Sequence, residues 1–313
     1  MAKTANWKLW IGLLISALFL YLAFRKVDFG QMWDALKTAN YWYLPPAIFI
    51  LFLSHYLRAL RWRYLLDPIR RLDTSSLFSS LIIGYGANAV TPAHLGEFLR
   101  AYVLSKKRGI SMSSTFATIV IERIIDVFTL LLLMCLVIFI HPFPDWVVKS
   151  GYIMFAATLF LFLLLIFLKR SDSKAEAFLR ILFKPLPERY EVRIEGMIER
   201  FLSGIVPLKR WHDYLTVTIL SAAIWACYGL TFHIGLEAFD FMKTYHLAWY
   251  ASLVILVITT ISVVVPSSPG YVGTWHFLSQ VSLAMFGVPA SPALSFAVVI
   301  HAINMLPVLA LAI

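Results

Sequence analysis

The sequence GYGANAVTPAHLGEFLR, from Gly84 to Arg100, decides how the rest of the chain is interpreted. It continues an apolar run that breaks at Thr91-Pro92, before the run is long enough to cross a bilayer. Proline lacks a backbone donor and disfavours helix in the preceding residue, so we expect the first helix to end there. Glu97 follows shortly after the break. Because broken helices occur at membrane depth only inside protein or beside water, this stretch predicts a site.

The composition of the chain indicates a membrane protein. Of its 313 residues, 60% are hydrophobic and 14% charged, and several apolar runs approach the roughly 20 residues that a spanning helix needs. We predict an all-α, polytopic membrane protein with about six to eight transmembrane helices and two broken re-entrant segments. Cys135 and Cys227 lie in apolar runs, which excludes a disulfide framework or a thiol metal site, and no cofactor is expected.

Positive charge sets the expected orientation. The formal net charge of +10 fits cytoplasmic loops and contact with anionic lipid better than nucleic acid. The second apolar run, about 43–60, leads into five cationic residues: Arg58, Arg61, Arg63, Arg70 and Arg71. We interpret them as marking a cytoplasmic loop, with phosphate binding as the alternative role of the first three. The N-terminus is then cytoplasmic, in a multi-pass protein of the cytoplasmic (inner) membrane.

We expect one integral membrane domain, residues 1–313, built from two pseudo-symmetric halves. The apolar run at about 75–90 has positive charge on both sides, so it is interpreted as a re-entrant hairpin with two cytoplasmic flanks. The expected parts are a first half at about 1–168 with a re-entrant segment at 75–100, a cytoplasmic amphipathic segment at 169–210, and a second half at about 211–313 with a re-entrant segment at 266–287.

The break occurs twice in the sequence. Thr91–Phe98 aligns without gaps with Ser268–Trp275, and both stretches have Pro, three residues, then Gly. Repeated broken segments in two halves of a membrane protein are typical of transporters with a central site. Because Pro and Gly are frequent in membrane helices, the matching context of the two stretches supports the repeat more than the aligned letters do.

A later apolar run contains Glu122, Arg123 and Asp126. The two carboxylates share a helical face, and Arg123 can reach Asp126. Glu122 lies roughly 12 Å along the helix from its start, a depth that is inside the hydrocarbon for an upright helix. Such charges either line a polar cavity and hold a headgroup or relay protons, or pair with Glu97 or Arg100 and fasten this helix to the re-entrant segment. Both interpretations stay open.

Other polar residues have ordinary explanations. Asn88 binds a ligand or, more commonly, caps the hairpin backbone. His94, His276 and His301 lack metal-ligand spacing, and each is interpreted as a hydrogen-bonded interior histidine. The sequence has no nucleophile elbow, Walker loop, dinucleotide motif or Asp-rich metal motif, so we do not expect an enzyme.

The stretch NAVTPAHLGEFLRAYVLSKKRGISMSSTFATIVIERIIDV, residues 88–127, resembles the central signature of the lysylphosphatidylglycerol synthase membrane-domain family of flippase-like proteins. The later VVVPSSPGYVGTW resembles the second Pro-Gly-rich motif of that family. The resemblance covers nearly the whole chain. It implies a domain that, fused to an aminoacyl transferase, is implicated in moving aminoacylated phosphatidylglycerol between leaflets. Stand-alone relatives are associated with hopanoids and polyprenyl-linked glycolipids, and we expect a stand-alone member without aminoacyl transfer.

The break, the intramembrane charges and the resemblance together give a set of predicted substrate-binding residues. They are Asn88, Thr91, Pro92, Glu97, Arg100, Glu122, Arg123, Asp126, Pro269, Gly270, Gly273 and His276. The resemblance also places Gly96 in the shared core. The family usually has a glutamate at the position of His276, so this departure implies a different lipid or titration nearer neutral pH.

The leading hypothesis is a lipid translocase that moves an anionic or aminoacylated phospholipid, or a related lipid, between leaflets. The alternative is an accessory or catalytic membrane subunit for polyprenyl-linked glycolipid or hopanoid assembly. A third hypothesis is a structural protein that holds a separate synthase through residues 169–210. Expected partners are membrane lipids with anionic headgroups and not nucleic acid. A separate lipid synthase or glycosyltransferase, and a second copy of the chain, stay open as protein partners.

Overall fold

The structure, a computed structural model, describes residues 6–91, 95–170, 188–264 and 268–312. These residues form thirteen α-helices and two short 3-10 turns, Tyr41–Tyr43 and Pro269–Tyr271, and no strand occurs among them. The helices are α1 Asn6–Phe24, α2 Phe29–Thr38, α3 Leu44–Leu66, α4 Thr74–Val90, α5 Leu95–Arg108, α6 Met112–Ile138, α7 Asp145–Arg170, α8 Glu188–Ser203, α9 Trp211–Ala238, α10 Phe241–Thr244, α11 Ala251–Val264, α12 Thr274–Ala284 and α13 Ala290–Ala312.

The prediction of an all-α, polytopic membrane protein is confirmed. In the part of the chain that the structure describes, four helices are long and apolar enough to cross a membrane: Tyr41–Leu66, Asp145–Lys169, Trp211–Ala238 and Ala290–Ala312. Two further apolar helices are shorter: Leu14–Phe24 and Ala251–Ser262. Helix α6 has 27 residues and contains the three charged residues that the sequence placed at membrane depth.

The first break separates α4 from α5, as predicted. Residues 92–94, which include Pro92 and His94, lie outside the described residues. The two helices pack against each other as a hairpin. Their backbones are so close that a Cβ added to Gly96 would lie 1.9 Å from the carbonyl oxygen of Gly84, so only glycine fits there. The backbone N–H of Gly96 donates to Oδ1 of Asn88 at 2.7 Å, so this side chain caps the hairpin.

The second break separates α11 from α12 and is occupied by the turn Pro269–Tyr271. Three of its residues have positive φ: 66° at Gly270, 59° at Tyr271 and 93° at Gly273. A Cβ on Gly273 would lie 2.5 Å from the carbonyl oxygen of Ser16, so the start of α12 packs closely on α1. Here glycine is required both by backbone conformation and by crowding.

The two breaks lie next to each other in the helix bundle. Helix α4 packs against the turn Pro269–Tyr271 and against α13. A Cβ on Gly270 would lie 3.4 Å from the carbonyl oxygen of Ala89, one residue before the end of α4. Two sequence segments that are far apart in the chain therefore meet at one place, as repeated broken helices do around the central site of a transporter.

Helix α3 corrects one interpretation of the sequence. It continues to Leu66, so Arg58, Arg61 and Arg63 lie inside a helix and not in a loop. Arg58 and Arg61 are buried, with 4% and 0% of their surfaces exposed. The sequence predicts a second span that ends near residue 60 because isolated charges favour the interface, whereas paired charges allow the helix to continue into the interior.

Part of the predicted amphipathic segment 169–210 forms α8, and residues 171–187 lie outside the described residues. Helix α8 packs on α6, where the hydroxyl of Ser114 donates to the carbonyl oxygen of Arg200 at 2.7 Å. The segment is therefore fastened to the helix that contains the intramembrane charges.

Candidate functional site

A cavity of about 610 Å³ lies where the two breaks meet. This size is within the range of small-molecule sites in proteins. Its polar and charged lining residues are His55, Arg58, Tyr85, Asn88, Glu97, Arg123, Asp126, Tyr228, Thr231, Thr259, Thr260, Tyr271, His301 and Asn304. Its aliphatic and aromatic lining residues include Leu51, Val127, Leu130, Met154, Phe232, Leu256, Met305 and Val308. The lining suits a ligand with a polar and an apolar part.

A cluster of seven acidic and basic side chains lies at one side of the cavity. Some of its members line the cavity, and the others lie behind them in the protein interior. It contains four arginines and three carboxylates: Arg58, Arg61, Arg100, Arg123, Glu97, Glu122 and Asp126. Its formal net charge is therefore +1. We call it the arginine–carboxylate cluster.

Glu122 is the centre of this cluster and is fully buried. Its Oε1 accepts from Nη2 of Arg58 at 2.6 Å, and its Oε2 accepts from Nη2 of Arg100 at 2.8 Å. Nη2 of Arg61 lies 3.6 Å from Oε1. The guanidinium of Arg100 also stacks 3.6 Å from the ring centroid of Trp62. The predicted ion pair that joins α6 to the re-entrant hairpin is therefore present, and it is completely desolvated.

Asp126 lies one turn further along the same face of α6. It accepts from Nη2 of Arg58 at 2.7 Å and from Nη2 of Arg61 at 2.6 Å. Arg58 also donates to the hydroxyl of Tyr228 at 2.9 Å, and Arg61 donates to the hydroxyl of Ser221 at 3.0 Å. Buried charges are tolerated only with such pairing and hydrogen bonding, which explains why α3 can contain two buried arginines.

The ion pair between Glu97 and Arg123 differs from the others in the cluster because both of its side chains are partly exposed. Nε of Arg123 lies 3.1 Å from Oε1 of Glu97, and the side chains are 35% and 22% exposed. The Nε–H is not aligned for a hydrogen bond with any described residue. Both residues line the cavity. This pair is therefore the one that a ligand can open at the lowest cost in free energy.

Several donors at the cavity are buried without a hydrogen-bond partner in the described part of the chain. They are the Nε atoms of Arg58 and Arg123 and the indole Nε1 atoms of Trp225 and Trp275. Both ring nitrogens of His55 are also unpartnered. Buried donors in native proteins nearly always have an acceptor, so these groups are available to acceptor oxygens of water or of a ligand.

The predicted substrate-binding residues fall into three groups. Those on the cavity lining are Asn88, Glu97, Arg123, Asp126 and Gly270. Those outside the lining are Thr91, Arg100, Glu122, Pro269, Gly273 and His276. Pro92 is outside the described residues. Thr91 donates to the carbonyl oxygen of Ala87 at 2.7 Å and ends α4, while Arg100 and Glu122 support the cavity-facing charges from behind.

His276 and His301 support the second break. The backbone N–H of Gly273 donates to Nδ1 of His276 at 3.3 Å, and Nε2 of His301 lies 2.7 Å from the carbonyl oxygen of Gly270. The two rings are 4.9 Å apart. The interpretation of both as hydrogen-bonded interior histidines is confirmed, and His301 in addition lines the cavity.

The set of predicted substrate-binding residues contains no residue of α3, although this helix contributes His55 and Arg58 to the cavity. His55, Arg58 and Arg61 repeat at three-residue spacing, which places them on one side of a helix. That spacing, together with acidic residues deep in another apolar run, was a usable signal for buried ion pairs. Trp225 and Trp275 carried no such signal, because tryptophans in apolar helices are common. Among the described residues, no group of His, Cys, Asp and Glu is arranged to hold a metal ion.

Known proteins similar to this chain include archaeal membrane proteins. A UPF0104 membrane protein of Methanocaldococcus jannaschii is 24% identical over 313 residues, which cover 94% of this chain and 89% of that protein. A UPF0104 membrane protein of Methanothermobacter thermautotrophicus is 24% identical over 284 residues, covering 86% and 82%. Glycosyltransferase AglD of Haloferax volcanii is 32% identical over 120 residues, which cover 38% of this chain and 19% of AglD. No solved structure gives a significant match.

One protein family accounts for nearly the entire chain. The sequence profile described as "Lysylphosphatidylglycerol synthase TM region" matches residues 9–312. The match includes both breaks and every residue of the arginine–carboxylate cluster. It agrees with the resemblance inferred from the two Pro-Gly motifs. The chain therefore belongs to the lysylphosphatidylglycerol synthase transmembrane-region family.

Proposed function

We propose that this protein is a lipid translocase that moves a lipid with an anionic, phosphate-containing headgroup between the leaflets of a cytoplasmic membrane. The observation that carries the proposal is the net positive arginine–carboxylate cluster beside a cavity inside a helical membrane protein. Ionised residues at such depth are costly, and they typically mark substrate pathways. Guanidinium groups suit phosphate because their planar donor fork matches two oxygens.

In this proposal the headgroup enters the cavity and displaces Glu97 from Arg123. The freed guanidinium and the unpartnered donors of Trp225 and Trp275 bind the phosphate oxygens, while acyl chains stay against apolar surface. Glu97 is then available for the ammonium of an aminoacylated headgroup. Glu122 does not move, since three arginines hold it behind the cavity.

The two broken helix pairs, the α4–α5 hairpin and the α11–α12 hairpin, support a transport function over a catalytic one. Their breaks meet at the cavity, and movement of one hairpin relative to the other would expose the site to either side in turn. We propose that the protein performs no covalent chemistry, that its N-terminus is cytoplasmic, and that its partners are membrane lipids.

Leaflet exchange in proteoliposomes tests the proposal. The purified protein is reconstituted with labelled neutral, anionic and lysyl-modified phospholipids, and an external quencher reports the accessible fraction. We expect exchange of anionic lipid that falls by at least about tenfold in Arg123→Gln and Glu97→Gln, because each loses a charge-assisted contact. Glu237→Gln is the matched control, as it removes a carboxylate outside the cavity. Unaltered exchange in both cavity variants would contradict the proposal.

A second candidate rests on the match to Glycosyltransferase AglD. It is an accessory or catalytic membrane subunit for assembly of polyprenyl-linked glycolipids or hopanoids. In that case the purified protein alone would exchange none of the tested lipids. Binding of a polyprenyl phosphate without exchange, lost in Arg123→Gln, would favour this candidate.

A further inference from the structure

A second pocket lies at the membrane-surface ends of two spanning helices, the C-terminus of α3 and the N-terminus of α9. Its volume is about 420 Å³. Its lining residues are Arg63, Tyr64, Asp67, Arg71, Leu72, Lys209, Arg210 and Asp213. None of them lines the central cavity. Four are cationic and two acidic, so the formal net charge of the lining is +2.

Both carboxylates of this pocket already have partners. Asp67 lies 3.1 Å from Nε of Arg71 through Oδ1 and 3.1 Å from Nζ of Lys209 through Oδ2. Asp213 accepts from the backbone N–H of Arg210 at 3.1 Å. These contacts join the loop after α3 to the start of α9 and hold the cationic groups around one space.

Two guanidinium groups in the pocket have no carboxylate partner in the part of the chain that the structure describes. They belong to Arg63 and Arg210. Arg63 donates to the hydroxyl of Thr74 at 3.2 Å, which leaves its positive charge uncompensated. Paired guanidinium forks around an open space are suited to an oxyanion with several acceptor oxygens, of which phosphate is the commonest in a membrane.

The residues after Arg210 place this pocket at the depth of lipid headgroups. Trp211 is 68% exposed, and Tyr214 and Leu215 are also exposed on the first turns of α9. Exposed aromatic residues at the end of a spanning helix mark the membrane–water interface. Exposed apolar side chains therefore follow the pocket residues Arg210 and Asp213 directly along the first turns of α9.

We propose that this pocket binds the phosphate headgroup of an anionic phospholipid at the membrane surface. It is a second lipid site, separate from the central cavity, and it stands whether or not the protein translocates lipid. The adjacent exposed aromatic and aliphatic side chains favour a lipid over free phosphate, because only a lipid has chains to lie against them.

A binding experiment on the full-length purified protein tests this site. Phosphatidylglycerol with a fluorescent acyl chain is titrated into protein in zwitterionic micelles, and energy transfer from tryptophan reports binding. The double variant Arg63→Gln/Arg210→Gln is compared with Lys106→Gln/Lys107→Gln, which removes the same charge outside the pocket. We expect the pocket variant to bind about tenfold more weakly than the control variant, since two charge-assisted contacts are lost.

Three results would overturn the proposal: equal weakening in both double variants, undiminished binding in the pocket variant, or equal competition by inorganic phosphate and by unlabelled phosphatidylglycerol. The first would mean diffuse attraction, and the last a site for a soluble anion. If the double variant does not fold, Arg210→Gln alone replaces it, with about threefold weaker binding expected. Unchanged binding in that single variant would also overturn the proposal.

Discussion

The two breaks share a sequence pattern but are built with different chemistry. The first leads into α5, whose Glu97 and Arg100 join the arginine–carboxylate cluster. At the aligned positions the second has Thr274 and Phe277, and it is held by histidines and positive-φ residues. The shared Pro-Gly pattern therefore specifies an interrupted helix, while the residues around it decide whether the interruption is charged. This asymmetry places the arginine–carboxylate cluster on the first-half side of the cavity.

The largest expected effect comes from comparing a buried charge next to the first break with a buried neutral side chain next to the second. Glu122→Gln leaves four arginines with two carboxylates in the interior, and breaking a buried ion pair in this way costs about 3–5 kcal/mol of unfolding free energy. Gln280→Leu in the second half should cost less, about 1–3 kcal/mol. Its Nε2 donates to two neutral acceptors, the carbonyl oxygens of Ala23 and Ala290, at 3.1 and 2.9 Å.

Chemical unfolding in detergent, followed by circular dichroism, measures both variants. If Glu122→Gln lowers the free energy of unfolding less than Gln280→Leu does, the arginine–carboxylate cluster does not stabilise the fold as expected. The cluster would then have a role in binding only.

The sequence predicted the breaks more reliably than it predicted the site. Pro92, Gly96 and Pro269 act on the local backbone, so their consequence for helix ends follows from short-range sterics. The burial of Arg58 and Arg61 depends on carboxylates more than sixty residues away, and positive-inside reasoning gave the opposite interpretation. A single sequence does not show which residues pair over long range. The signal that it does contain is the presence of acidic residues inside one apolar run and of arginines inside another.

The aligned glycines give the next effect in size. Gly96→Ala would place Cβ 1.9 Å from the carbonyl oxygen of Gly84, and Gly273→Ala would place it 2.5 Å from that of Ser16. We expect each to cost about 1–3 kcal/mol through crowding, with a further cost of about 1–2 kcal/mol at Gly273 because of its positive φ. Thermal unfolding of the purified variants measures this.

Gly287→Ala is the control that separates the two causes. Its φ is 78°, but an added Cβ meets no atom within 4 Å, so only backbone strain remains. If Gly287→Ala lowers the melting temperature as much as Gly273→Ala, crowding against α1 is not important. If Gly96→Ala is harmless, the close packing of α4 on α5 is wrong.

Substitution of His276 tests whether this residue supports the second break or contacts lipid. It caps the start of α12 and does not line the cavity. His276→Ala should therefore lower the unfolding free energy by about 0.5–1.5 kcal/mol, the value of one hydrogen bond, and leave the order of headgroup preference in the exchange assay unchanged. A changed preference with unchanged stability would instead support the predicted role of this residue in substrate binding.

The ends of the two helix pairs that lie away from the breaks also differ in charge. In the first, Arg108 at the end of α5 pairs with Asp73 and donates to Ser76 at the start of α4. In the second, the rings of Tyr250 and Phe286 are 6.4 Å apart beside α11 and α12. The first closure therefore depends on a carboxylate–guanidinium pair, and we expect it to weaken in acid.

The smallest expected effect is this response to pH. The amide of Ser76 donates to Oδ2 of Asp73 at 2.9 Å, and this bond, the Ser76 hydroxyl and Arg108 together hold the pKa of Asp73 below its ordinary value. A carboxyl whose pKa is lowered by folding stabilises the protein above its unfolded pKa, and this contribution is lost as pH falls through the folded pKa. Asp73→Asn keeps the cap but removes the charge, so its melting temperature should be lower than wild type at neutral pH and should converge with it as the pH falls below about 4, the ordinary pKa of an aspartate. A constant difference between Asp73→Asn and wild type as the pH falls would mean that the charge of Asp73 does not hold the first hairpin closed.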